Sequence, residues 1–272
     1  MAWLQIPAKA LILVAVVFLA LILVQLRLAP DAEEEKPAAN QESPQVSRVQ
    51  ISKDGQLMDM STGPLLTPSG SQELIEASIG FLAAGSTNLR RATAIELAYI
   101  AGDPTEQEKL RELSAGVKTR LREALLRGLE DSDTTVAKSC AEALIGWWRM
   151  APSPAVSRSF QQGAAAYEAG QMDVALGTFR SIEELGGPVP PDLYRMKAEV
   201  YLARSLPEQA LAECRRALAL EPKHFVALFV EARAYAQLGE ERKALEALDE
   251  ALSIYEGFEA AQQLRAELYR AA

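Results

Sequence analysis

Residues 200–224 read VYLARSLPEQALAECRRALALEPKH, and residues 234–258 read AYAQLGEERKALEALDEALSIYEGF. The two stretches repeat one pattern roughly every 34 positions. The repeat extends to a third unit, because alanine recurs at Ala175, Ala210 and Ala244 with a larger residue four places later. Small residues at fixed places allow two helices to cross closely, and larger residues fill the space between units. The pattern therefore predicts three consecutive pairs of helices.

Turn residues divide these pairs. Gly170 and Gly239 mark turns between paired helices, and Pro222 marks the exit from the second unit. Together with the repeated alanines and aromatic residues, this pattern resembles the tetratricopeptide repeat (TPR). The resemblance divides the domain of residues 156–272 into units 156–190, 191–224 and 225–258 and a capping helix over 259–272. It implies a superhelix whose first helices line a concave groove.

A weaker period of about 47 residues precedes the first one. Leu74, Leu82 and Leu97 recur in this period as Leu121, Leu129 and Leu144. The period predicts two helix pairs, 71–83 with 88–101 and 117–129 with 134–148. Residues 70–150 resemble HEAT or armadillo repeats. The aspartate–arginine ladder of HEAT repeats is expected to be broken, because Ala137 and Ser86 occupy two of its places.

An apolar run begins at Ala10 and ends at Leu28. Its length is just enough to span a bilayer as a helix. A cleaved signal peptide is the alternative, but Pro30 directly after Ala29 makes a poor cleavage site. The sequence therefore predicts an uncleaved single-pass anchor over residues 10–28, preceded by a short tail of residues 1–9.

Residues 29–69 are rich in Pro, Ser, Gln and acidic residues, which is typical of a flexible linker. Lys9 on one side of the anchor is opposed by Arg27 and Lys36 on the other, so charge gives little guidance on orientation. We expect the tail inside and the bulk of the chain on the outer, periplasmic or lumenal side. The predicted fold is thus all-α: a transmembrane helix, then an α-solenoid of HEAT-like pairs and TPR units.

Composition argues against several classes of function. A net charge of −9 is opposite to the basic surface that nucleic acids require. The chain has one histidine and two cysteines that lie far apart, so no histidine-based catalytic site or zinc site is predicted. Phosphate-binding, dinucleotide-binding and nucleophile motifs do not occur in the sequence. We expect no enzymatic activity, no cofactor and no metal.

Several single residues leave two interpretations open. His224 is either a helix cap or a hydrogen-bonding group at the groove edge. Trp147 and Trp148 either wedge the HEAT-like domain against the first TPR unit or form a surface for a partner. Glu183 is interpreted as part of a solvated helix face rather than a catalytic acid. Cys214 is interpreted as a packing residue.

The first helices of the three units supply the predicted groove. The side chains that the packing pattern leaves free are Phe160, Ala164, Tyr167, Arg195, Glu199, Leu202, Phe229, Arg233 and Ala236. TPR proteins that bind chaperone C-termini use a clamp of Lys, Asn and Arg. The corresponding places here hold Phe160, Ala164, Met196, Val226 and Val230. We therefore expect a peptide or helix of a protein partner rather than a free carboxylate.

Two functions fit this organisation. The first is a membrane-anchored scaffold or assembly factor that binds one protein partner in its groove. The alternative is a chaperone-like holder of unfolded or translocating chains at the membrane, which an apolar and unselective groove would favour.

Overall fold

The computed structural model describes residues 49–51, 57–59 and 68–271 of this chain. The predicted tail of residues 1–9 and the predicted anchor of residues 10–28 lie outside the described residues. Within the part that is described, no helix combines the length and the apolar character that crossing a membrane requires. The chain divides between Leu74 and Ile75 into two units.

The part of the chain that ends at Leu74 contains a short hairpin. Strand β1 (Val49–Ile51) pairs antiparallel with strand β2 (Leu57–Asp59), and Gln50 lies opposite Met58. Val and Ile favour strands because branched side chains pack well on a pleated surface. The hairpin lies within the predicted linker of residues 29–69, where no strand was predicted, and it departs from the predicted all-α architecture.

Helices make up most of the described chain. In order they are α1 (Pro68–Ala84), α2 (Thr87–Gly102), α3 (Gln107–Arg111), α4 (Ala115–Gly128), α5 (Thr134–Arg149), α6 (Pro154–Glu168), α7 (Met172–Glu184), α8 (Pro191–Ala203), α9 (Pro207–Leu220), α10 (Phe225–Gln237), α11 (Glu241–Ile254) and α12 (Glu259–Ala271). Helix α6 packs against α7, α8 against α9 and α10 against α11, while α12 covers α11. These helices thus form three successive pairs followed by a last helix, and the bounds of the units stay predictions.

The repeated alanines lie where the paired helices cross. Ala175, Ala210 and Ala244 are completely buried, as are the larger residues four places after each of them. In the first pair Gly163 lies so close to Phe179 that an added Cβ would approach its ring to 2.5 Å. The helices therefore approach closely only because these residues are small. The crossing positions predicted from the period are confirmed.

The turns between paired helices share one backbone conformation. Gly170 and Gly239 have φ angles of +74° and +73°, in the left-handed region that glycine adopts freely. Ser205 occupies the equivalent place in the second unit and has a φ of +56°. A residue with a Cβ is strained there. The second unit keeps the turn geometry of the other two at a cost in stability.

Helices α2 to α5 belong to the part that precedes the repeat array, which we call the preceding segment (residues 75–149). Helices α1, α2, α4 and α5 lie within a few residues of the four helices of the two predicted pairs, and the short helix α3 is additional. Helix α2 packs closely against α5, and a Cβ on Gly146 would collide with the carbonyl of Ala101. Gly128 lies equally close to the thiol of Cys140. Two close backbone contacts therefore hold this segment together.

Two arginines of α2 reach the turn between α4 and α5. Arg90 Nε donates to Asp131 Oδ2 at 2.7 Å, and Arg91 Nε donates to Asp133 Oδ2 at 2.9 Å. Asp133 also caps α5, and the hydrogen bond from Arg91 lowers the pKa of Asp133 to about 2. Ion pairs thus bridge the two helix pairs. Each of them joins a residue in an expected ladder place, Arg90 or Asp133, to a residue outside the HEAT pattern, Asp131 or Arg91.

The ring contacts of Trp148, at the end of α5, lie at the beginning of the third TPR unit, whereas the first unit was predicted. Trp148 is 1% exposed, stacks on His224 with ring centroids 4.1 Å apart and points its edge at Phe225, 5.2 Å away. His224 caps the first helix of the third unit and Phe225 begins that helix, where Tyr255 also packs against Phe225. Successive first helices begin at the same edge of a helix-pair array, so one helix end can reach a later unit. The predicted wedge against the first unit is wrong.

His224 is buried and caps α10. Its Nδ1 accepts the backbone N–H of Ala227 at 3.3 Å, which confirms the capping interpretation. Because Nδ1 accepts, the proton of the neutral ring lies on Nε2. That atom lies 3.3 Å from Asp192 Oδ1. Burial lowers the pKa of His224 below its ordinary value.

Ser205→Gly is expected to raise the free energy of unfolding by about 0.5 to 1 kcal/mol, because relief of the left-handed strain exceeds the entropy that glycine loses. Urea denaturation followed by circular dichroism measures this difference. The reciprocal change, Gly170→Ser, introduces the same strain in the first unit and should lower stability by a similar amount. A lower free energy of unfolding for Ser205→Gly would contradict the inferred backbone strain at Ser205.

The buried His224 predicts a pH dependence. Its folded pKa lies below the unfolded value of about 6.5, so protons bind the unfolded chain more readily and stability falls as pH drops below about 6.5. The imidazole resonance of this sole histidine should titrate below that value in NMR spectra. In His224→Asn, which keeps a capping side chain without titrating, stability should change less between pH 7 and pH 5. An ordinary or raised His224 pKa would refute this.

Candidate partner-binding groove

Two apolar residues of the predicted groove lie in the core. Phe160 on α6 is 6% exposed and packs against Phe179, with ring centroids 5.8 Å apart. Leu202 on α8 is 2% exposed and belongs to the apolar core between the second and third units. Both side chains fill space between helices, so they stabilise the array and are not presented to a partner.

Glu199 on α8 and Arg233 on α10 occupy equivalent places in consecutive units and face each other. Arg233 Nη1 donates to Glu199 Oε2 at 2.6 Å. On the same helix as Glu199, Arg195 Nη1 lies 3.8 Å from Glu199 Oε1. The carboxylate therefore lies between two guanidinium groups. The Arg195 side chain is buried, whereas 37% of the Arg233 side chain is exposed.

Aromatic side chains flank this ion pair. The guanidinium carbon of Arg233 lies 5.8 Å from the ring centroid of Phe229, within the range of a cation–π contact. Phe229 is half-buried and packs against the ring of Phe258 at 5.1 Å. Tyr167 on α6 is also half-buried, and its burial, with the charge of Glu199, raises the pKa of Tyr167. We call Tyr167, Glu199, Phe229 and Arg233 the groove cluster.

Asp192 was not among the predicted site residues, yet it orients Arg195. It is completely buried in the first turn of α8, where both of its oxygens accept hydrogen bonds from Arg195. Arg149 Nε donates to Asp192 Oδ2 at 2.9 Å. Burial by itself raises the pKa of Asp192, but the charge of Arg195 holds that pKa well below its usual range. A charged carboxylate is therefore retained in the interior.

A second ion-pair cluster surrounds the buried Lys197. Its Nζ lies 2.6 Å from Glu183 Oε2 and 2.8 Å from Glu213 Oε1. Arg216 Nη2 also donates to Glu183 at 2.6 Å, and its guanidinium covers the ring of Tyr194 at 4.1 Å. The interpretation of Glu183 as part of a solvated face is therefore wrong. Its carboxylate joins α7 of the first unit to α8 and α9 of the second.

Neither cysteine is poised for reaction. Burial raises the pKa of Cys140 to about 12 and also raises that of Cys214, so neither thiol is ionised near neutral pH. The packing interpretation of Cys214 is confirmed, since it is completely buried between helices. Among the side chains of residues 72–270, no group of three or more His, Cys, Asp or Glu is arranged to hold a metal ion. The groove cluster can offer hydrogen bonds, charge and aromatic surface.

No protein-family model and no curated protein matches the sequence. Among solved structures, the chain is similar to the TPR domain of Arabidopsis OM64, with 21% identity over 43% of this chain and 97% of that one and a TM-score of 0.41. The Sgt2 TPR domain of Aspergillus fumigatus is 21% identical over 44% of this chain and 81% of that one, with a TM-score of 0.41. For the second TPR domain of human RPAP3, solved with an HSP70 peptide, identity is 19%, coverage 41% and 92%, and the TM-score 0.39.

These likenesses are too distant to indicate what this chain binds. The TPR organisation of residues 154–271 rests on their own register: paired helices, buried crossing alanines and left-handed turns at equivalent places. The HEAT-like character of residues 70–150 stays a prediction. The described chain is a helical repeat array that carries tetratricopeptide-type helix pairs.

Proposed function

We propose that this protein is a membrane-anchored scaffold or assembly factor whose repeat array captures a segment of a protein partner at the groove cluster. The observation that carries the proposal is the placement of Arg233. Its guanidinium is partly exposed, lies over Phe229 and is oriented by Glu199. Arginine and aromatic side chains held in fixed positions are the residue types that contribute most to protein–protein binding.

The cluster favours a partner with mixed chemistry. A hydrogen-bond acceptor on the partner would bind the exposed part of Arg233, and an apolar side chain would cover Phe229 and Tyr167. Glu199 already balances the charge of Arg233, so the cluster is not a strong anion site. A peptide or helix supplies hydrogen-bond acceptors and apolar groups together, whereas a free carboxylate supplies acceptors alone.

The membrane tether in this proposal is supported by the apolar run of residues 10–28 in the sequence. A tethered groove raises the effective concentration of the array for any partner at the same membrane. We propose that the linker of residues 29–69 sets the reach of the array, and that the array lies on the outer, periplasmic or lumenal side.

A chaperone-like holder fits the groove cluster less well. Such a protein needs a broad apolar surface for many different chains. The large apolar side chains that are exposed in the described part of the chain are Tyr99, Val174, Leu185, Leu220 and Tyr269. None of them belongs to the groove cluster, whose centre is an ion pair. Oriented charges favour one defined partner over many unrelated clients.

Arg233→Ala should weaken partner binding by roughly 1 to 3 kcal/mol, because it removes both the exposed guanidinium and its contact with Phe229. The full-length chain is purified from its membranes in detergent, and the proteins that accompany it are quantified by mass spectrometry. One stoichiometric protein that is depleted in Arg233→Ala supports the scaffold. Many substoichiometric proteins would favour the holder.

Arg242→Ala is the matched control. Arg242 lies on α11, outside the groove cluster, is 92% exposed and pairs with Glu246. It should leave both the partner and the thermal midpoint unchanged. A partner that is retained in both variants, or lost in both, would contradict binding at the groove cluster. Melting curves of both variants exclude a loss of fold as the cause.

A further inference from the structure

The last turn of α5 contacts the beginnings of two successive first helices, α8 and α10, at once. Arg149 donates to Asp192 in the first turn of α8, at 2.9 Å. The neighbouring Trp148 stacks on His224, the residue that caps α10. One helix end of the preceding segment therefore holds the beginnings of the two helices that carry the groove ion pair.

That ion pair lies further along the same two helices. Glu199 follows Asp192 on α8 by a distance of about 10 Å along the axis, and Arg233 follows His224 on α10 by about 14 Å. The two helices are thus connected at two levels, once through α5 and once through the groove ion pair. Helices that are connected at both levels have a defined spacing.

A chain of charges connects the two levels. Arg195 Nη2 donates to Asp192 Oδ2 at 2.9 Å, and Arg195 Nη1 approaches Glu199 at 3.8 Å. Asp192 and Arg195 are both buried, so neither charge can turn to solvent without a large cost. Arg149 shares the Oδ2 atom of Asp192 with Arg195. Arg149, Asp192, Arg195 and Glu199 therefore form a continuous series of charged contacts.

We infer that Trp148 and Arg149 are positioning residues for the groove, through which the preceding segment sets the spacing of α8 and α10. The preceding segment then controls the geometry of the Glu199–Arg233 pair without touching a partner itself. This inference rests on the proposed function only in that a bound partner would depend on this geometry. The geometry itself can be measured with no partner present.

Arg149→Gln tests the inference. The Arg149 side chain is 49% exposed, so its loss should leave the fold intact, which circular dichroism checks. The measurement is the Nε–H resonance of Arg233 in the ¹⁵N-arginine spectrum of the full-length chain in detergent, assigned by its absence in Arg233→Ala. We expect this resonance to shift in Arg149→Gln. In Arg149→Lys, which restores a charge beside Asp192, it should return toward its original position.

Arg91→Gln is the control, because Arg91 pairs with Asp133 inside the same segment. It should leave the Arg233 resonance in place. The inference is overturned if the resonance does not move in Arg149→Gln, or if it moves as far in Arg91→Gln. Should Arg149→Gln unfold, Trp148→Phe tests the same coupling through the His224 contact and must shift the same resonance. Absence of any partner for the unchanged protein would overturn the proposed function and leave this result standing.

Discussion

The charge of Asp192 is the constraint on which the arrangement of the described helices depends. This carboxylate is completely buried and stays ionised beside Arg195. Arg149 approaches it from α5 and His224 from the cap of α10, so three elements meet at one side chain. A buried ion pair adds little net stability compared with apolar packing, but leaving one partner unpaired is costly. The charged contacts of Asp192 therefore select one arrangement of the helices, and they add little to the free energy of unfolding.

The groove cluster depends on that arrangement. Arg195 is held by Asp192 and so faces Glu199 from a fixed position. Glu199 in turn orients Arg233, which is partly exposed over Phe229. Trp148 stacks on His224 and adds apolar contact where the end of α5 meets the beginning of α10. The charged side chains around Asp192 would not provide that apolar contact by themselves. Packing and charge thus position the same few side chains from the interior outward.

The sequence predicted what depends on local spacing. Periodicity located the helices, the crossing alanine at 210 and the glycine turn at 170, because a helix repeats its faces at a fixed interval. Periodicity does not show which neighbouring helix covers a given face of a helix. Phe160 and Leu202 were therefore expected on the surface although they fill the core, and Trp148 was assigned to the wrong unit. Such contacts join residues far apart in the chain.

Asp192 and the hairpin were both missing from the sequence-based predictions, for different reasons. Asp192 follows a proline at a helix start, where an acidic residue is common for its effect on the helix dipole, so its burial left no local sign. The hairpin did leave one, since Asp54 and Gly55 form a dipeptide that is frequent between paired strands. The polar composition of the surrounding residues outweighed that signal.

The most direct test of the central claim is the free energy of unfolding of Asp192→Asn, measured by urea denaturation. Asparagine preserves the size of the side chain and removes the charge that Arg195 and Arg149 require. The claim predicts a loss of roughly 3 to 5 kcal/mol, as for a buried ion pair that loses one partner, with partial recovery when Arg195→Met is added. A loss below about 1 kcal/mol, typical of an exposed ion pair, would contradict it.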